Sequence, residues 1–128
     1  MPILDTVVLF AAADSKDSRH SKAVKYLRAN RETYLASFAL LEFDIVLKSR
    51  GFPADKRMEI QALLTKDYPQ VRVHQLTPQT LYLTAMIERD YQLEYFDAGV
   101  AAEALQHDAT VISTDKSFEK VKGLKRIW

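Results

Sequence analysis

Four carboxylates stand where their surroundings call for a chemical explanation. Asp5 follows the apolar segment "PIL" and Asp115 follows "TVIST", each at the exit of a stretch that reads as a buried strand. Glu42 has Phe38, Ala39, Ile45 and Val46 as its neighbours three and four positions away on a helix, and burying an unpaired charge on such a stripe is costly. Asp97 lies in the first turn of the helical segment "FDAGVAAEALQHD". Brought together, such groups repel: two carboxylates about 4 Å apart cost roughly 4 kcal/mol at an effective dielectric of about 20. A cluster of four must protonate or bind a cation. With no cysteine and three scattered histidines, His20, His74 and His107, the all-oxygen set favours a hard ion, magnesium or manganese. Such ions polarise phosphate oxygens and lower the pKa of bound water, singly or in pairs, which suits phosphoryl chemistry.

Each residue also has an ordinary explanation. Aspartate is a favoured helix N-cap, which would account for Asp5 and Asp115 separately. The helix dipole favours an anion in the first turn by about 0.3–1 kcal/mol, which would account for Asp97. A buried Lys or Arg would account for Glu42, and Asp44 is its rival, since periodicity does not separate the two. Glu103 and Asp108 read as ordinary exposed charges.

The elements that must position these groups follow from the periodicity. "PILDT" reads as a first strand, and apolar Val7 to Ala13 leads through "DSKDS" to an amphipathic helix over about Ser18 to Asn30, with Ala23, Val24, Tyr26 and Leu27 inward. "TYLAS" is a second strand, with Ser37 placed to cap the helix that runs to about Arg50. Gly51 ends that helix and Pro53 opens the next, to about Asp67. "VRVHQL" alternates like a strand, Thr77-Pro78 opens a helix to about Tyr91, and another covers Phe96 to His107. The "ATVIS" strand, a short helix near Lys116 to Val121 and a strand "LKRIW" complete the chain.

Strands separated by helices imply parallel crossovers. We expect an α/β three-layer sandwich, with a central, mostly parallel sheet of about five strands flanked by helices. Sites in such sheets form at the carboxyl ends of strands, which puts Asp5 and Asp115 at one edge.

The chain has 128 residues, 48% of them hydrophobic and 27% charged, which reads as one globular domain spanning 1–128. The absence of cysteine removes disulfides and thiol catalysis. A net charge of +1 supplies no global field toward nucleic acid, so any such binding needs a local patch. No apolar run approaches a membrane span and no basic leader precedes Asp5, from which we expect a cytoplasmic protein without a membrane partner.

The four acidic segments together resemble a known family. "ILDTVVLFAAAD" with Asp5, "SFALLEFDIVL" with Glu42, "YFDAGVAAEAL" with Asp97 and "VISTDKSF" with Asp115 resemble, in order, the four motifs of PIN domains, most closely the VapC-type toxin ribonucleases. The resemblance covers essentially the whole chain and takes Glu42 over Asp44. It implies a PIN-like fold and Mg2+- or Mn2+-dependent hydrolysis of single-stranded RNA with one or two ions. Asp5, Asp97 and Asp115 would then ligate metal, and Glu42 would bind it or orient water. Thr6, Ser113 or Thr114 would hydrogen-bond the carboxylates. Lys48, Arg50, Lys116 and Lys120 flank the second and fourth motifs and are candidate RNA contacts, with Tyr95 and Phe96 as candidate stacking groups. The resemblance also implies a homodimer and a VapB-type antitoxin. Some relatives carry a further acidic residue where this chain has Ser117, and His20 with Ala23 resembles a recurrent packing pair.

Rival readings are a PIN nuclease of RNA maturation without an antitoxin and a catalytically silent PIN-like binding module. A haloacid-dehalogenase phosphatase is disfavoured because Val7 stands where its second aspartate belongs.

Overall fold

The computed structural model describes residues 1–29 and 33–128. Five short strands, β1 (Ile3–Leu4), β2 (Tyr34–Leu35), β3 (Arg72–Val73), β4 (Thr110–Ile112) and β5 (Lys125–Ile127), form one sheet in the order β3-β2-β1-β4-β5. Every pairing is parallel, including Leu4 with Leu35 on one side and Leu4 with Ile112 on the other. The expected α/β fold is therefore the fold observed, with a sheet wholly rather than mostly parallel.

The chain leaves β1 toward β2 and β3, then returns to place β4 on the opposite side of β1. This reversal makes a crevice at the carboxyl ends of β1 and β4, the usual location of a site in such sheets. Ile3, Leu4, Val111 and Ile112 are essentially inaccessible, as strands covered on both faces must be.

Among the described residues, six α-helices flank the sheet: α1 (Thr6–Ala13), α2 (His20–Arg28), α3 (Ser37–Ser49), α4 (Ala54–Asp67), α5 (Pro78–Tyr91) and α6 (Tyr95–Leu105). α6 packs on β1 and β4 with α5 against it, while α1 packs against α2 and α3. The apolar run after Asp5 is thus a buried helix. α2 begins at His20, two residues later than expected, and its expected end at Asn30 lies outside the described residues. His20 Nδ1 lies 2.9 Å from the Ala11 carbonyl oxygen, tying the start of α2 to α1. Ala23 and Leu27 are buried, whereas Val24 and Tyr26 are half-buried.

Thr77 caps α5 through a reciprocal bond with Thr80, with Pro78 in the first turn as expected. Gly51 closes α3 at a φ of 88°, a conformation costly for any residue with a Cβ. The short helix near Lys116 is a 3-10 helix, Lys116–Lys120.

Two expectations are overturned. Ser37 does not cap α3; Ala36 occupies that position and has no side-chain acceptor. Glu103 is not an exposed charge but 0% exposed, and its carboxylate takes over the capping that Ala36 cannot perform. Asp108 is exposed as expected and pairs with the N-terminal ammonium at 3.1 Å. Apolar residues on more than one face of α3 have a visible consequence, for Leu41 (55% exposed) and Ile45 (44%) face solvent, as do Met58 and Leu63 of α4. Among the described residues, no helix is long and apolar enough to cross a membrane.

Candidate metal centre

The crevice between β1 and β4 is built from the residues that follow those strands. The Asp5 N–H extends the β1–β4 ladder by donating to the Ile112 carbonyl at 3.1 Å, which places Asp5 beside Ser113. Asp5 occupies the N-cap position of α1, yet its side chain caps nothing there. Instead its Oδ2 accepts from Ser113 Oγ at 2.7 Å. Ser113 Oγ in turn accepts from the Asp115 N–H at 3.0 Å, so one hydroxyl links two candidate ligands. Asp115 Oδ1 accepts from the Ser117 N–H at 2.9 Å and caps the 3-10 helix. The cap explanation therefore holds for one oxygen of Asp115 and leaves the other.

Glu42 reaches the same place from α3. Its Oε1 accepts from Thr6 Oγ1 at 2.6 Å, one residue after Asp5. Asp44 turns the other way and pairs with Arg57 of α4 at 3.2 Å. The geometry separates the two acids that periodicity could not. Asp97 enters from the first turn of α6 and is half-buried.

The electrostatics tie these residues together. The Asp97 carboxyl is pushed up to about 7, chiefly by burial and then by the negative charges of Asp5, Asp115, Glu42 and Glu94, in that order. Asp5 is pushed up to about 6, again chiefly by burial. The Ser113 hydroxyl and the Thr6 N–H pull it down, while Glu42 and Asp115 add to the rise. Carboxyls this crowded must hold protons or a cation near neutral pH.

Among the described residues, no three acids or histidines close around one point as a finished cage. Asp5, Glu42 and Asp115 each turn one oxygen toward Ser113, Thr6 or the Ser117 amide. The result is an open set of oxygen donors, without nitrogen or sulfur, whose shared charge the protein leaves uncompensated. That set fits a hard divalent cation.

The remaining sequence candidates divide. Thr114 is half-buried and donates to none of the four acids among the described residues. Lys116 and Lys120 are exposed on the 3-10 helix beside Asp115. Lys48 and Arg50 lie at the far end of α3 from its N-terminus, with the Arg50 guanidinium 4.9 Å from the centre of the Phe10 ring. Tyr95 is 51% exposed and meets Phe38 and Phe96 edge-on, while Phe96 packs against the core. The Ser117 hydroxyl is buried without a partner among the described residues.

Of two further acids, one is not singled out by the sequence and one reads there as exposed. Glu94, the N-cap of α6, adds negative charge near Asp97, and its position three residues before Asp97 was the available signal. Glu103 was the other, and "VAAEAL" surrounds it with the same apolar company that drew attention to Glu42.

Residues 3–124 match the PIN domain family. The chain belongs to that family. PIN domains are generally nucleases and typically use divalent metals. Among solved structures, the PIN fold here is similar to VapBC2 of Rickettsia felis, crystallised with a promoter DNA fragment, with a TM-score of 0.73 at 14% identity over 98% of this chain and 96% of that one. FitAcB of Neisseria gonorrhoeae gives 0.70 at 17% identity, over 98% and 96%. VapC20 of Mycobacterium tuberculosis, a toxin that cleaves the sarcin–ricin loop, gives 0.68 at 18% identity, over 93% of each chain. At these identities the likeness is one of fold. Comparison with curated protein sequences gives no match.

Proposed function

We propose that residues 1–128 form one Mg2+- or Mn2+-dependent endoribonuclease unit that hydrolyses phosphodiester bonds of single-stranded RNA as the toxin of a toxin–antitoxin pair. The observation that carries the reading is the convergence of four carboxylates at the β1–β4 crevice, where burial and mutual repulsion raise Asp97 to about 7 and Asp5 to about 6. Structural work is done by donors and packing; a set of acids left short of donors is suited to a cation.

In this reading Asp5, Asp97 and Asp115 hold the ion or ions, and Glu42 binds or orients the attacking water. When bound, the metal polarises the scissile phosphate and lowers the pKa of that water. Thr6 and Ser113 fix the carboxylates they touch, so the donor set is arranged before the ion arrives. No side-chain nucleophile is required. Exposed Lys116 and Lys120 supply positive charge beside an otherwise negative crevice, and Tyr95 offers an open ring to an unpaired base. Lys48 and Arg50 are further from the acids and rank below them.

The toxin assignment draws support from fold neighbours whose names describe toxin–antitoxin assemblies, including a complex from Klebsiella pneumoniae. The exposed Leu41, Ile45, Met58 and Leu63 are consistent with a protein partner, a second copy or a VapB-type antitoxin. Cleavage of end-labelled single-stranded RNA tests the enzymatic reading. Activity should require Mn2+ or Mg2+ and disappear in Asp97→Asn; activity that survives EDTA would end it. Growth arrest on expression, relieved by a co-expressed neighbouring gene, tests the toxin assignment.

A further inference from the structure

Glu103 is a buried carboxylate that the proposed chemistry does not use. Its Oε2 accepts from the Ser37 N–H at 2.9 Å, and its Oε1 accepts from the Phe38 N–H at 3.0 Å and from Ser37 Oγ at 3.1 Å. These are the first two amides of α3, whose cap residue is Ala36. The opening N–H groups of a helix need partners, and here a second helix supplies them.

Gly99 lies four residues before Glu103 and so shares its face of α6. A Cβ at Gly99 would stand 2.3 Å from the Phe38 ring. The start of α3 is thus held to α6 twice within one turn, by charge-assisted hydrogen bonds at Glu103 and by close approach at Gly99. Five residues past Ser37, α3 carries Glu42; two residues before Gly99, α6 carries Asp97.

We infer that Glu103 is a positioning residue for the candidate metal centre, fixing the N-terminus of α3 on α6 and thereby setting Glu42 against Asp97. The inference rests on the metal-centre reading. It depends on both oxygens of Glu103 accepting. Glutamine can accept at only one of them and turns its NH2 group toward a donor at the other.

The test is calorimetric titration of Mn2+ into the full chain as wild type, Glu103→Gln and Ser37→Ala. Hydrogen exchange of the first α3 amides and RNA cleavage with kcat and KM separated accompany it. Glu103→Gln should weaken Mn2+ by about 10–100-fold, lower kcat with KM unchanged, and speed exchange at Ser37 and Phe38 while β4 stays protected. Ser37→Ala, which keeps both amide bonds to the carboxylate, should bind Mn2+ like wild type. Faster exchange in Glu103→Gln with wild-type Mn2+ affinity would overturn the inference, leaving Glu103 a purely structural cap. Should Glu103→Gln fail to fold, Glu103→Asp, shorter by one methylene, is judged by the same criteria. A wild type whose Mn2+ affinity depends on Glu103 but which leaves RNA uncut upholds the inference and sinks the ribonuclease reading. A wild type that takes up no Mn2+ overturns both.

Discussion

The two ends of α6 hold carboxylates in opposite circumstances. Glu103 is wholly inaccessible, yet two backbone N–H groups and a hydroxyl bond it, and only its burial pushes its pKa up. Those donors, together with His74, pull the other way. Asp97 is more exposed, yet every leading influence on it, from burial to the four neighbouring acids, raises its pKa. Burial alone therefore does not mark a site. What separates the two is whether the protein supplies donors: the setting of Glu103 is complete without a cation, and that of Asp97 is not.

The largest expected effect comes from Asp97→Asn. It should reduce Mn2+-dependent RNA cleavage by more than the ~10–100-fold typical of losing a residue that merely supports a ligand. Single-turnover assays on labelled RNA measure this, and wild-type rates in the variant would erase the contrast between the two ends of α6. Ser113→Ala comes next. It removes the donor to Asp5 and the acceptor for the Asp115 amide, and should weaken Mn2+ binding by about 10–100-fold in calorimetry. Unchanged affinity would make Ser113 a packing residue.

Much of this arrangement was legible in the sequence. Asp5 and Asp115 were readable because each ends an apolar strand, and strand ends converge in a parallel sheet. The Thr77-Pro78 opening of α5 and the Gly51 stop of α3 were readable because capping and φ preferences are local. Glu103 was not, because its partners Ser37 and Phe38 lie more than sixty positions away and no local rule links them. Ser37 was misread for the same reason: its hydroxyl suits a cap, but a distant carboxylate had taken over that role. Periodicity left Glu42 and Asp44 undivided and only the motif resemblance took Glu42; their distinguishing partners, Thr6 and Arg57, are brought near by the tertiary fold alone.

Gly99→Ala probes the contact near Glu103 without altering charge. The added methyl should cost about 1–3 kcal/mol through overpacking against Phe38, partly offset by up to ~1 kcal/mol of improved helix propensity. Urea denaturation measures the net loss. A more stable variant would show that Phe38 yields freely and that the α3–α6 contact does not fix Glu42.

The smallest effect is also the most selective. Without metal, Asp97 has a folded pKa of about 7 against an ordinary 3.8, and Asp5 about 6 against 3.8. Between those values the folded chain holds protons that the unfolded chain releases, so stability is greatest near pH 4 and falls as pH rises toward 7. Glu103 acts in the same direction, since its pKa is also raised; His107, lowered by burial, acts in the opposite direction below its ordinary 6.5. Comparing wild type with Asp97→Asn cancels both to first order. Three units would be worth about 4 kcal/mol, but Asp97 is half-exposed, and solvent screening reduces the expected difference to about 1–2 kcal/mol. In EDTA, denaturation at pH 4.5 and 7.5 should show wild type losing that much more stability than Asp97→Asn. Mn2+ at pH 7.5 should restore it in wild type alone, because a bound cation favours the ionised carboxyls that otherwise repel. Equal pH slopes in the two proteins would mean that the fold already compensates the charge of Asp97.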